Sequence, residues 1–166
     1  MQYKFCSNCG APLAQHKPFS AQECDRCGAW HFHNSKPCAG ALVVSQAQVL
    51  LARRGVEPFK GFWDIPGGFL EAGEEPETGV KRELREETGL EIQLIDLLGL
   101  YTDTNGAGNY YTLNIYYLAE APNGTPQATD DVAELRWFPL DQLPDAFAFE
   151  HQYRLMEDLK QWHSRK

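Results

Sequence analysis

Apolar positions along the chain fall into short runs, and their spacing predicts a mixed fold. Residues 39–44 and 49–52 are two apolar stretches of strand length that read as a hairpin around residues 45–48. Arg53 and Arg54 follow the second stretch directly. Residues 92–101 and 110–119 have strand composition, and the run 105–109 between them reads as a turn or loop. Residues 147–162 place Phe149, Met156 and Leu159, with Tyr153 nearby, at helical spacing, which predicts a helix covering the sheet. Residues 30–37 read as a connection with Pro37 as its boundary.

The strongest local pattern lies between these strands. Residues 77–88 are rich in helix formers, and Gly89 is placed to end a helix. Glu83, Glu86 and Glu87 fall at i, i+3 and i+4, so three carboxylates share one face. Like charges so close disfavour one another unless something positive stands opposite. A solvated acidic face with Arg82 and Arg85 as partial counterions is one reading. A hard divalent cation, Mg²⁺ or Mn²⁺, is the other, since both take oxygen ligands and keep substrate phosphates in their shells. The segment in front favours the second: Pro66, Gly67, Gly68 and Gly73 bracket a short loop, and Glu74 is placed to pair with Arg82.

These residues resemble the signature of the Nudix hydrolases, G-x5-E-x7-R-E-U-x-E-E-x-G-U with U aliphatic. Gly68, Glu74, Arg82, Glu83, Leu84, Glu86, Glu87, Gly89 and Leu90 fill all nine fixed positions. The preceding residues 61–68 are similar to the same family, and residues 134–143 resemble the strand and short helix that usually close its sheet. The resemblance implies an α/β (α+β) fold, an α/β/α sandwich with a mixed sheet, and hydrolysis of a nucleoside diphosphate linked to another moiety. It implies Glu83, Glu86, Glu87 and the Gly68 carbonyl as Mg²⁺ or Mn²⁺ ligands, with Glu74 and Arg82 fixing their geometry. The base that activates water is left among Glu83, Asp130, Asp131 and Glu134. Either Arg53 or Arg54 would clamp a diphosphate oxygen, or both are simply solvated. Trp63, just before the signature, reads as a packing residue rather than a base-stacking platform.

Cysteine spacing adds a second unit. Cys6-x-x-Cys9-Gly10 and Cys24-x-x-Cys27-Gly28 are matching knuckles, suited to a tetrahedral four-thiolate Zn²⁺ site; two disulfides or a redox pair are the competing readings. Such a closed site is structural, and zinc would stabilise a segment too short for an adequate core. The expected division is a zinc ribbon over residues 1–36 and the Nudix domain over 37–166. His31, His33 and Cys38 are spare donors once four cysteines complete the shell, and Cys38 reads as a buried thiol.

Charge and composition narrow the partners. The chain has 166 residues and 43% hydrophobic content, enough for a substantial core. The formal net charge is −8, with +2 over residues 1–36 and −10 over the rest. Zinc with four thiolates would cancel the ribbon's +2, and the acidic remainder repels a phosphate backbone, so nucleic acid is not the expected partner. No apolar run spans a bilayer and the first residues lack a signal-peptide pattern, which predicts a soluble cytoplasmic protein.

Specificity is less marked. The ribbon accompanies family members acting on NADH, but their S-Q-P-W-P-F-P-x-S motif is missing, as are the family's ADP-ribose proline and coenzyme A marks. ADP-ribose, NADH or FAD-like substrates are expected. A MutT-like nucleoside triphosphate pyrophosphohydrolase is the alternative, and a non-catalytic ribbon adaptor is a third reading. A homodimer is compatible with any of these.

Overall fold

The structure is a computed structural model and describes residues 3–14, 21–104 and 110–165. The loop expected at 105–109 lies outside the described residues. Two alike cysteine turns build the amino-terminal unit. Gly10 N–H donates to Cys6 O at 2.9 Å and Gly28 N–H to Cys24 O at 2.8 Å, with φ of 71° and 70° at the two glycines. That left-handed conformation is one a side chain disfavours. Strands β1 (Gln22–Glu23) and β2 (Trp30–His31) pair antiparallel around the second turn, and Cys6, Ala11, Leu13 and Cys24 form a small core.

The larger unit contains β3 (Lys36–Ser45), β4 (Gln48–Arg54), β5 (Trp63–Asp64), β6 (Gly67–Phe69), α1 (Pro76–Thr88), β7 (Gln93–Thr104), β8 (Tyr111–Glu120), β9 (Val132–Pro139) and α2 (His151–Ser164). The sheet runs β5-β4-β3-β8-β7, with β6 added on β3 and β9 on β4. It is mixed, because β3 and β8 are parallel while the other pairs are antiparallel. Strand alternation sends side chains to two cores. Leu42, Val49, Leu51, Tyr116 and Leu118 pack with Leu155, Met156 and Leu159 of α2. Ala41, Val43, Leu50, Tyr117 and Ala119 pack with Val80 and Leu84 of α1. The result is the expected α/β/α sandwich. Each fully buried leucine contributes roughly 1.5–3 kcal/mol over an exposed one.

Four expectations are corrected. The expected β3–β4 hairpin forms but is brief: only Val44↔Val49 and Ser45↔Gln48 pair, after which β6 takes that edge of β3 and β5 that edge of β4, while β9 runs along the other edge of β4 from Gln48. Pro37 is the second residue of β3, near a strand start where its missing N–H is tolerated, and its carbonyl accepts from Leu70 N–H. No helix follows β9. The chain turns there, with Gln142 N–H donating to Pro139 O, because Pro144 lacks an N–H and disfavours helical backbone at Leu143. Finally, α2 begins at His151, not 147. Trp63 N–H donates to Ala146 O and Ala148 N–H to Trp63 O, so the backbone expected to open the helix is paired to β5 instead. Phe149 therefore precedes α2, and Tyr153 stands 44% exposed rather than facing the core.

Candidate active site

Helix α1 opens with Pro76 and closes at Gly89, whose left-handed backbone lets its N–H reach Arg85 O. Gly79, Val80, Leu84 and Thr88 form its buried stripe. Gly79 is bare for a reason: a Cβ there would stand 2.3 Å from Leu70 and 2.9 Å from Glu74. The loop before α1 thus lies against the helix and delivers Glu74 to Arg82. The two join as a fork, Arg82 Nε and Nη2 each donating to one Glu74 oxygen at 2.9 Å. That guanidinium holds the Glu74 carboxyl down to about 2. Arg82 Nη1 also donates to Glu83 (2.8 Å) and Glu86 (3.1 Å), and Nη2 to Phe69 O (3.2 Å).

The three glutamates occupy different environments. Glu86 is half-exposed at the side chain, 49%. Glu87 is deep, and its Oε2 accepts from Gly67 N–H at 2.8 Å. Burial, then the negative charges of Asp64, Asp131 and Glu83, push the Glu87 carboxyl up to about 9. Burial also raises Glu83, against the pull of Arg82. Gly68 of β6 faces Glu83: a Cβ on it would lie 2.7 Å from both carboxylate oxygens. Arg82 draws Glu83 and Glu86 while Gly67 draws Glu87. Among the described residues the one group of three or more His, Cys, Asp or Glu side chains with donors all within 4.8 Å is therefore the cysteine set. The acidic donors still suit a hard divalent cation. They are crowded carboxylates, partly desolvated, ranged beside a glycine that leaves them room.

On its other face β6 borders a cavity of about 190 Å³. Gly67 and Gly68 line it together with Arg54, Phe69, Tyr110, Asn114, Phe149 and His151, among others. Gly40 opens its floor, since a Cβ there would meet the Tyr116 ring at 2.7 Å. Lys36 Nζ lies 4.0 Å from the Tyr110 ring centroid. His151 is fixed from both sides. Its backbone N–H and its Nδ1 donate to Asp103, at 3.0 and 2.8 Å, and its Nε2 bonds Tyr116 Oη at 2.9 Å.

The two arginines separate. Arg54 lines the cavity, donating through Nε to Pro58 O and through Nη1 to Asp64, both at 2.7 Å. Arg53 pairs instead with Glu134 at 3.3 Å. Glu134 is also held by Arg136. Asp131, by contrast, lines a small crevice with Asp64, Arg54 and Glu87. Asp130 carries a positive φ of 55°. Trp63 packs edge-on to Phe138, 4.7 Å between centroids, and against the α2-side core. Sequence reasoning missed Asp64, Asn114, Phe149 and His151. Asp64 sat within the signature-like stretch 61–68 and carried a signal; the others gather only through strand register and the start of α2.

In the amino-terminal unit Cys6, Cys9, Cys24 and Cys27 bring their sulfurs within 4.8 Å of one another. Cys6–Cys27 and Cys9–Cys24 stand 3.6 and 3.7 Å apart, and all four cysteines are free of disulfides. Four sulfurs about 2.3 Å from a tetrahedral centre are about 3.8 Å apart, so this donor set fits zinc. His31 Nε2 bonds Cys6 Sγ at 3.3 Å, and His33 bonds Gln22 rather than a sulfur. Cys38 is half-buried, not fully buried; burial, then the Glu83 charge, push its thiol up to about 12.

No helix among the described residues is long and apolar enough to cross a membrane. The chain is 35% identical over 121 residues to the ADP-ribose pyrophosphatase of Methanocaldococcus jannaschii, covering 73% of this chain and 70% of the relative. It is 32% identical over 146 residues to the NAD-capped RNA hydrolase NudC of Pseudomonas aeruginosa, covering 85% and 49%, so it spans about half the length of that relative. Among solved structures, a NUDIX hydrolase from Nitrosomonas europaea superposes with a TM-score of 0.77 at 25% identity, over 94% of this chain and 92% of the other. The NUDIX domain of Shewanella oneidensis NrtR complexed with ADP ribose gives 0.65 at 26%, over 78% and 89%. The NUDIX domain pattern matches residues 34–159, spanning the sheet, the α1 carboxylates and the cavity, and the chain belongs to the Nudix family.

Proposed function

We propose that this chain is a pyrophosphohydrolase that cleaves the diphosphate of a nucleoside diphosphate joined to another moiety, of the ADP-ribose, NADH or FAD type. The observation that carries this reading is the shared wall of β6. Gly67 and Gly68 border the aromatic-lined cavity, while Gly67 N–H holds Glu87 and Gly68 faces Glu83. A nucleoside in the cavity would therefore present its diphosphate to the carboxylates. The activities for which the Methanocaldococcus and NudC relatives are named support the same substrate class.

Glu83, Glu86, Glu87 and the Gly68 carbonyl would hold Mg²⁺ or Mn²⁺, which when bound neutralises phosphate charge and acidifies water. Arg82, fixed by Glu74, keeps Glu83 and Glu86 in place. Arg54 steadies a phosphate oxygen at the cavity's acidic end. A water oxygen bonds one phosphorus as the bridging P–O bond breaks, and Asp131 takes the water's proton. Asp131 suits this role better than Glu134, which Arg53 and Arg136 already engage. Residues 1–36 form a zinc ribbon held by Cys6, Cys9, Cys24 and Cys27, and residues 37–166 the hydrolase domain.

A panel of ADP-ribose, NADH, FAD and nucleoside triphosphates, incubated with Mg²⁺ or Mn²⁺ and resolved by chromatography, tests the assignment. Two monophosphate products from a diphosphate substrate are expected. Turnover of triphosphates alone would overturn it in favour of the MutT-like reading, and no turnover at all would favour an adaptor.

A further inference from the structure

On the β8 side of the cavity wall the fold leaves an acceptor free. Asn114 stands on β8 between Thr112 and Tyr116 on the same face, and is 7% exposed. Its Nδ2 donates to Tyr101 O at 3.3 Å and to Thr112 Oγ1 at 3.0 Å, which spends both amide protons. A backbone carbonyl only accepts, so Tyr101 fixes which way the amide points. No described residue donates to Asn114 Oδ1. Yet every fully buried side-chain nitrogen or oxygen among the described residues has a partner. Oδ1 therefore opens onto the cavity that Asn114 lines.

Its neighbours offer no competing donor. Thr112 Oγ1 receives the Asn114 amide and gives its own proton to Asp103 O at 3.4 Å. Asp103 can only accept, so His151 Nδ1 carries a proton, and His151 Nε2 and Tyr116 Oη satisfy each other at 2.9 Å. Burial holds the Tyr116 hydroxyl protonated by raising its pKa well above the ordinary value. This part of the wall is thus an acceptor patch among aromatic rings.

We infer that Asn114 Oδ1 selects nucleobases bearing an exocyclic amino group, adenine over its 6-oxo counterpart hypoxanthine. The inference rests on the cavity holding the nucleoside half of the substrate. A 6-amino group donates to Oδ1, whereas a 6-oxo group sets acceptor against acceptor and leaves both unpaired.

The test compares kcat/KM for ADP-ribose and inosine diphosphate ribose in the wild type and in Asn114→Leu. Wild type should prefer the amino base by at least about tenfold, and the ratio in the variant should fall toward one. Equal turnover of the two by wild type, or an undiminished ratio in the variant, overturns the inference while leaving the hydrolase reading intact. Hydrolysis of neither compound removes ADP-ribose from the substrates and leaves the hydrolase reading to NADH and FAD. In that case, or if the variant does not fold, calorimetric titration of wild type with AMP and IMP decides: tighter AMP binding supports the inference and equal affinity overturns it.

Discussion

Gly68 and Glu83 stand face to face: the hydrogen of a glycine Cα occupies the space where any side chain would press on the carboxylate. Built onto that backbone, a Cβ would lie 2.7 Å from both oxygens and from the carboxyl carbon. The backbone at Gly68 is not left-handed, so the requirement for glycine is one of space. Gly68→Ala should fold with a melting temperature within a few degrees of wild type yet lose at least about tenfold in kcat, because Glu83 must turn away. Full activity in that variant would contradict the role given to this pair.

Glu86 reaches furthest into solvent of the three glutamates and contributes least to packing. Glu86→Gln keeps the shape and removes the charge. Its rate should fall at least about a hundredfold with the fold retained, as a charged ligand and transition-state stabilisation are lost together. Steady-state kinetics at saturating Mn²⁺ checks this, and undiminished turnover would remove Glu86 from the site.

The ribbon predicts a metal dependence separate from catalysis. Cys24→Ser should release zinc, measured by elemental analysis, and lower the first thermal transition, while diphosphate hydrolysis persists. Unchanged zinc content would refute the four-thiolate site.

Arg53 and Arg54 are neighbours in sequence with different predicted effects. Arg54 lies in the cavity wall, with Nη2 bonded to no described residue, whereas Arg53 pairs with Glu134 outside it. Arg54→Ala should raise KM about tenfold or more with a smaller change in kcat, and Arg53→Ala should leave both within about twofold. Equal effects would place the phosphate contact elsewhere.

Asp103 links the cavity to stability. Burial pushes its pKa up, but the His151 backbone and ring N–H groups and the Thr104 N–H outweigh that and leave it lowered. A lowered folded pKa stabilises the protein above the unfolded value, about 3.9, and the gain is lost as pH falls through the folded value. Asp103→Asn should therefore melt several degrees below wild type at pH 7, and the gap should close as pH drops below about 4. A gap that persists at pH 3 would show that the contribution is not carried by the charge.

The sandwich and the acidic helix were legible because each rests on local pattern. Helix α1 has Pro76 and Gly89 at its ends and an apolar stripe between, and the strands alternate strongly enough to be found. The short β3–β4 contact was not legible, since the hairpin parts where β6 takes its edge of β3 and β5 takes the facing edge of β4. The start of α2 was misjudged for a like reason: Phe149 continues the helical spacing of Met156 and Leu159, and the pairing of 146–148 with Trp63 is a tertiary fact. The cavity residues were the least visible. Asn114 looks like any polar residue on a strand until Tyr101 and Thr112 take its amide protons.

That pairing of 146–148 with Trp63 has a mechanical side. It moors the start of the last helix to β5, next to where Phe149 and His151 line the cavity. Limited proteolysis near Asp145 would then do more than trim a covering segment: it would swing one side of the pocket open with the rest of the sheet undisturbed. Bound nucleotide, by bracing that side, should slow the cut.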